Sequence, residues 1–175
     1  MNTPKALQTV MDFFRRQGLS FLLDPNHPIL HASFKGRNAS FRSLIAEDES
    51  DDFVQVITWV PITVPPDKRE AIAELCRRLS CPLKVGHYDM DLNGGDIRFR
   101  TYSAHAKGEL PQVVISRVLH TNLIMVDQHF PAFVAVLFSN VSAKEASDRL
   151  KPEALPKPVP PRETASQPPT RLNLN

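Results

Sequence analysis

One run constrains this chain more than any other: Phe53-Val54-Gln55-Val56-Ile57-Thr58-Trp59-Val60 is rich in β-branched and aromatic residues on both alternating faces. That pattern belongs to a central strand, covered by helices on one side and partly shielded on the other. The strand extends to Val64, where Pro65-Pro66 ends it and opens a helix, because proline's fixed φ suits a first helical turn and its missing N–H costs nothing there.

Other elements assemble around this strand. Leu7, Val10, Met11 and Phe14 recur at i, i+3, i+4 and i+7, predicting a first helix over about residues 4–17, with Gly18 placed as a left-handed cap. Short β-type stretches follow at 20–23, 29–35 and 41–46, with a hairpin turn at Gly36-Arg37-Asn38. After the prolines, Ile72, Leu75, Cys76 and Leu79 form the inner stripe of a second, amphipathic helix. Residues 85–101 alternate cleanly. Tyr88, Met90, Leu92, Ile97 and Phe99 face a core, and His87, Asp89, Asp91, Asp96, Arg98 and Arg100 face away.

A turn on Asn93-Gly94 would set Asp91 opposite Asp96, whereas one on Gly94-Gly95 sets Asp91 opposite Arg98 and Asp89 opposite Arg100. Cross-strand charge pairs are worth roughly 0.2–1 kcal/mol each, so the second register is expected. Val113, Val114, Val118 and Met125 then mark a third helix over 110–127, which Pro131 is expected to kink or to divide from 132–138. The order is α-β-β-β-α-β-β-α, an α+β pattern.

The chain has 175 residues, and 42% of them are apolar, enough for one domain with a real core. Beyond about residue 142 the periodicity fades and prolines accumulate, so the expected division is a domain at 1–141 and a disordered, polyproline-type tail at 142–175. Residues 151–175 carry Lys151, Lys157, Arg162 and Arg171 against Glu153 and Glu163, which accounts for the whole net charge of +2. A neutral folded part lacks the basic field of a nonspecific nucleic-acid binder. The first ten residues have no secretory pattern, and the longest mostly apolar run, at 130–138, is far short of a bilayer span, so a cytoplasmic chain with no membrane partner is expected.

Three segments resemble the YbjN family of bacteria: Val60-Pro61-Ile62-Thr63-Val64-Pro65 leading into Lys68-Arg69, then Gly86-His87-Tyr88-Asp89-Met90-Asp91-Leu92, then Gly95-Asp96-Ile97-Arg98-Phe99-Arg100-Thr101. The resemblance runs over about residues 4–139. It departs at Gln128-His129, where the family usually has a basic residue and a tyrosine. It implies a fold similar to type III secretion chaperones, with helices packed on one twisted antiparallel sheet, often in dimers. It implies no catalytic residues and no cofactor.

Several constellations imitate function. Asp89-x-Asp91-x-Asn93-Gly94 copies the start of an EF-hand loop, but Arg100 stands where the bidentate glutamate must be, so it reads as a hairpin. Glu47-Asp48-Glu49-Ser50-Asp51-Asp52 reads as a solvated acidic loop. Cys76 and Cys81 have neither redox nor zinc spacing, and the scattered histidines form no metal motif. Nucleophile elbows and phosphate loops are missing from the sequence, so no catalytic, cofactor or metal residue is assigned. The expected function is a non-catalytic protein-interaction or regulatory module, with a protein partner, a homodimer among the options, and His87, Asp89, Asp91, Arg98 and Arg100 as the candidate partner surface. Trp59 is read as a packing residue. The alternative is a small-molecule-binding regulator or unrecognised enzyme with a pocket between the sheet and the last helix. The proline-rich stretch 156–161 reads as a linker.

Overall fold

The computed structural model describes residues 3–48, 53–106 and 109–150. Its interior strand is the one demanded by the Phe53 run: β4 (Phe53–Thr63) pairs antiparallel with β3 (Ser40–Asp48) on one side and β6 (Asp96–Ala104) on the other. Outside these lie β2 (Ile29–Lys35) and β1 (Phe21–Leu23) at one edge and β5 (His87–Met90) at the other, giving one six-stranded antiparallel sheet in the order β1-β2-β3-β4-β6-β5. The expected α-β-β-β-α-β-β-α order is therefore one strand short before the second helix. Three-residue β1 is a full sheet member, with Phe21 opposite Ala32. A register shift in β4 between Trp59 and Thr63 accommodates Pro61, which has no N–H to offer the ladder.

The helices are α1 (Lys5–Arg16), α2 (Arg69–Ser80, entered through a 3-10 turn at Pro66–Lys68), α3 (Gln112–Phe138) and α4 (Ala143–Asp148). Their apolar residues meet alternate residues of the strands in two clusters. Leu7, Val10, Phe14, Leu30, Ile45, Val56 and Leu119 belong to one, and Phe41, Ile72, Leu75, Ile97, Phe99, Val126 and Phe133 to the other. Buried Ser43, Thr58, Thr101 and Asn122 each fall in sequence between members of the two. Asn122 Nδ2 donates to the Val56 and Phe99 carbonyls and to Thr101 Oγ1, at 3.1, 3.3 and 3.1 Å, which pins the middle of α3 to β4 and β6.

Pro131 neither divides α3 nor ends it. A proline at 131 frees the carbonyl of residue 127, four positions earlier. That carbonyl accepts a bond from Asn38 Nδ2 at 2.8 Å, while the Asp127 carboxylate accepts the backbone N–H groups of Arg37 and Asn38 at 3.0 and 2.8 Å. The proline thus leaves an acceptor that the β2–β3 turn uses. Gly36 is part of the same clasp, since a Cβ there would overlap the Asp127 carboxylate. The continuous α3 is long and apolar enough to cross a bilayer by length and composition; in this fold nine of its residues are buried, several of them in the two clusters on the sheet.

Three other expectations are corrected. The expected domain boundary at 141 falls short, because α4 buries Ala143 and Ala146 in the core and is capped by Ser142 Oγ, which accepts the Glu145 N–H at 3.1 Å. The proposed tail beyond residue 150 lies outside the described residues. Glu47 is not part of a solvated loop: it continues the inward parity of Phe41, Ser43 and Ile45, and it is buried. Residues 49–52 of that acidic run lie outside the described residues. In the β5–β6 hairpin, Asp89 stands opposite Arg98 and His87 opposite Arg100, so the turn centres on Asn93-Gly94, the register not expected. Asp91 pairs through its N–H with the Asp96 carbonyl at 2.9 Å.

Candidate functional site

Strand parity places the strand members of both clusters on one face, so the alternate residues form a second face that no described helix covers. Pairing defines its rows. One runs Leu22, His31, Leu44, Ile57, Arg100, His87 from edge to edge, and the next runs Ser33, Arg42, Trp59, Arg98, Asp89. A third sets Gln55 beside Tyr102. Leu22 is 73% exposed and Tyr102 39% exposed, while Ile57 is buried beneath its long neighbours. Leu22, His31, Ser33, Arg42 and Trp59 line a shallow depression of about 580 Å³.

Four of the five expected surface residues share this face. Asp89 Oδ1 accepts from Arg98 Nε at 2.7 Å and its other oxygen accepts from Arg100 Nε, so one carboxylate holds two guanidiniums. His87 stacks on Tyr102 with ring centroids 5.9 Å apart. The fifth, Asp91, belongs to the turn: it accepts the Asn93 N–H at 2.9 Å, and the backbone N–H groups of Asn93 and Gly94 hold its carboxyl below the usual carboxylate range. Of three residues that complete the face, Leu22 lies in the three-residue edge strand β1, and Leu44 and Arg42 lie in interior β3, where only the pairing with β4 brings them beside Ile57 and Trp59. Trp59, expected in the packing, is a half-buried member of the exposed face. Among the described residues no carboxylate pairs with Arg42.

The pocket expected between the sheet and the last helix is filled. The gap among Val10, Ile45, Val56, Ile115 and Leu119 has room for about 10 Å³. A larger, open cleft of about 1570 Å³ lies instead among α2, α3 and α4, with Arg77, Met125, His129 and Leu150 on its walls. Behind it, the Tyr88 hydroxyl donates to the Met125 carbonyl at 3.2 Å and sits 3.1 Å from His129 Nδ1. Burial pushes the Cys76 thiol up to about 12, raises the Tyr88 hydroxyl well above its ordinary value and pulls His129 down to about 4.

The His129 shift has a pH consequence. A base that is harder to protonate in the folded state stabilises fully above its unfolded value near 6.5, and that stability is lost as pH falls toward about 4. Allowing for its residual exposure, the loss is about 2 kcal/mol. Urea unfolding at pH 7.0 and 4.5 should show a steeper decline for the wild type than for His129→Gln, and parallel declines would refute it.

The chain matches the family model of YbjN, described as "Putative bacterial sensory transduction regulator", over residues 6–135. It belongs to the YbjN family. The crystal structure of YbjN from E. coli is similar to it with a TM-score of 0.56 at 12% identity, covering 75% of this chain and 93% of that one. The structure of the HopA1–SchA chaperone–effector complex matches at a TM-score of 0.46 and 13% identity, over 71% of this chain and 92% of that one, and carries no argument at that score. No curated protein matches. Membership accounts for the α+β architecture seen here, helices on one face of a single antiparallel sheet, and leaves the use of the other face to be argued from its residues.

Proposed function

We propose that this domain is a non-catalytic protein-interaction module of a regulatory system, holding a partner protein on the uncovered sheet face. The observation that carries this reading is the apolar surface of Leu22, Leu44 and Trp59, with His31 between the two leucines and Ile57 buried beneath, on a face that no described element covers. Monomeric proteins seldom leave large contiguous apolar patches exposed without a use for them, and tryptophan and arginine are the side chains that most often anchor interfaces. The regulatory role described for the family supports the same reading.

A photo-crosslinking side chain placed at Leu22 should trap one protein in cells of the source organism, and one placed at helix-borne Val113 should not. Adding Arg42→Glu should suppress the Leu22 adduct at least several-fold. A Leu22 adduct insensitive to Arg42, or trapping from Val113 alone, would move the interface elsewhere. Reversing Arg98 and Arg100 is the poorer test, because both are tied to Asp89 and the change would disturb the hairpin itself.

The size of the cleft among α2, α3 and α4 favours a second reading, a small-molecule-binding regulator. It predicts a ligand-dependent rise in Tm across a metabolite panel, since anything that binds only the folded state stabilises it. A flat panel would remove it.

A further inference from the structure

We infer that the segment received by the uncovered sheet face is an acidic amphipathic peptide of the partner protein, with carboxylates on either side of an apolar pair. This rests on the interaction-face reading above and adds the chemistry of the partner. The first observation is a sorting of charge that composition hides. Cationic and acidic residues number 21 and 19, yet the two central rows carry Arg42, Arg98 and Arg100 against Asp89 alone. Asp89 is already shared by two of the three arginines, and among the described residues Arg42 has no carboxylate. Asp96, opposite Thr63 at one end of this face, lines a hollow with Arg42 and Trp59 but forms no ion pair with Arg42, so an excess of positive charge remains beside Trp59.

The second observation is spacing. Arg42, Trp59 and Arg98 are register neighbours on three successive strands, so the arginine backbones stand roughly 10 Å apart with the indole between them. Two residues separated by seven on one helical face are also about 10 Å apart, and those at i+3 and i+4 lie between them. A helix laid across the strands with acids at i and i+7 would meet Arg42 and Arg98 and press its i+3 and i+4 side chains on Trp59.

A nucleic acid fits less well, because a net charge of only +2 gives the chain no broad basic field to follow a phosphate backbone, and the Leu22 and Leu44 side chains offer phosphates nothing to pair with.

Trp59 is the only tryptophan, so its emission reports directly on this face. The full-length chain is titrated with three tryptophan-free helical peptides sharing a Leu-Leu pair at i+3 and i+4 and carrying Glu, Gln or Lys at i and i+7, and with a single-stranded oligonucleotide. The Glu peptide should shift Trp59 emission and bind about ten-fold tighter than the Gln peptide, with an affinity that falls as salt rises. Arg42→Glu should abolish that advantage without altering the circular dichroism. Equal binding of all three peptides would overturn the acid preference while leaving an apolar docking face. Tighter binding of the oligonucleotide would overturn the assignment to protein. If no peptide is bound but Leu22 still traps a protein in cells, the acidic chemistry fails alone; if trapping fails as well, the interaction face fails with it.

Discussion

Gly95→Ala should cost about 3–4 kcal/mol of folding stability and lower Tm by roughly 10 °C. Gly95 holds a φ of 81°, in the left-handed region where a side chain adds strain of about 1–2 kcal/mol. A Cβ at this position would also overlap the Val64 carbonyl oxygen and stand close to the Val64 N and C atoms. Those are backbone atoms at the end of β4, next to the prolines that open α2, and they have no rotamer by which to yield. The same contact carries the 2.9 Å bond from the Val64 N–H to the Gly95 carbonyl. Relief therefore requires the β5–β6 turn to move away from β4, losing that bond and loosening the packing of Ile97. Urea unfolding followed by Trp59 emission measures the cost. A loss below about 1 kcal/mol would mean that the turn relaxes freely and that its conformation does not set the hairpin.

The same turn explains what could and could not be read from the chain. The two faces of the β5–β6 hairpin were legible, because alternation needs only parity. Its register was not, because the argument from facing charges counted only residues directly opposite. In the fold Asp89 reaches Arg98 across the ladder and Arg100 on the diagonal, so the charges are satisfied without the expected pairing. Asp91, which would have repelled Asp96, instead turns its carboxylate to the Asn93 N–H. The backbone of the turn decides the register, and the side chains adapt.

The uncovered face was half legible for a related reason. The Phe53 run announces an interior strand with apolar residues on both sides, which already implies a second face that is not plainly wet. The residues that complete it come from other strands. Leu22 stands in a three-residue strand too short for any period, and Arg42 reaches Trp59 only through a pairing that one sequence does not display. The continuity of α3 was hidden because the carbonyl freed by Pro131 is satisfied by Asn38, a partner 89 residues away. The α4 helix did leave a signature, Ser142-x-x-Glu145, which is the capping-box spacing. It is easily passed over because only two alanines face inward.

Glu47 shows the same long-range logic at the other end of the domain, and Glu47→Ala should destabilise by about 3 kcal/mol or more. Helix α1 begins after Pro4, which has no side-chain oxygen to cap it. The cap comes from β3 instead: Glu47 Oε2 accepts the Leu7 N–H at 2.8 Å, and Oε1 lies 3.1 Å from His105 Nε2, with both side chains almost wholly buried. A carboxylate at a helix N-terminus is favoured by the free N–H groups and the dipole. Removing it strands a buried donor at Leu7 and takes the carboxylate away from His105, costs of about 1–3 kcal/mol each in a dry environment. Glu47→Gln keeps an acceptor for Leu7 and loses only the charge, so it should recover about half of the deficit. Equal losses for the two variants would mean that the carboxylate's charge, not the hydrogen bond to α1, carries the effect. A loss under about 1 kcal/mol for Glu47→Ala would mean that α1 is held by Leu7, Val10 and Phe14 in the core alone.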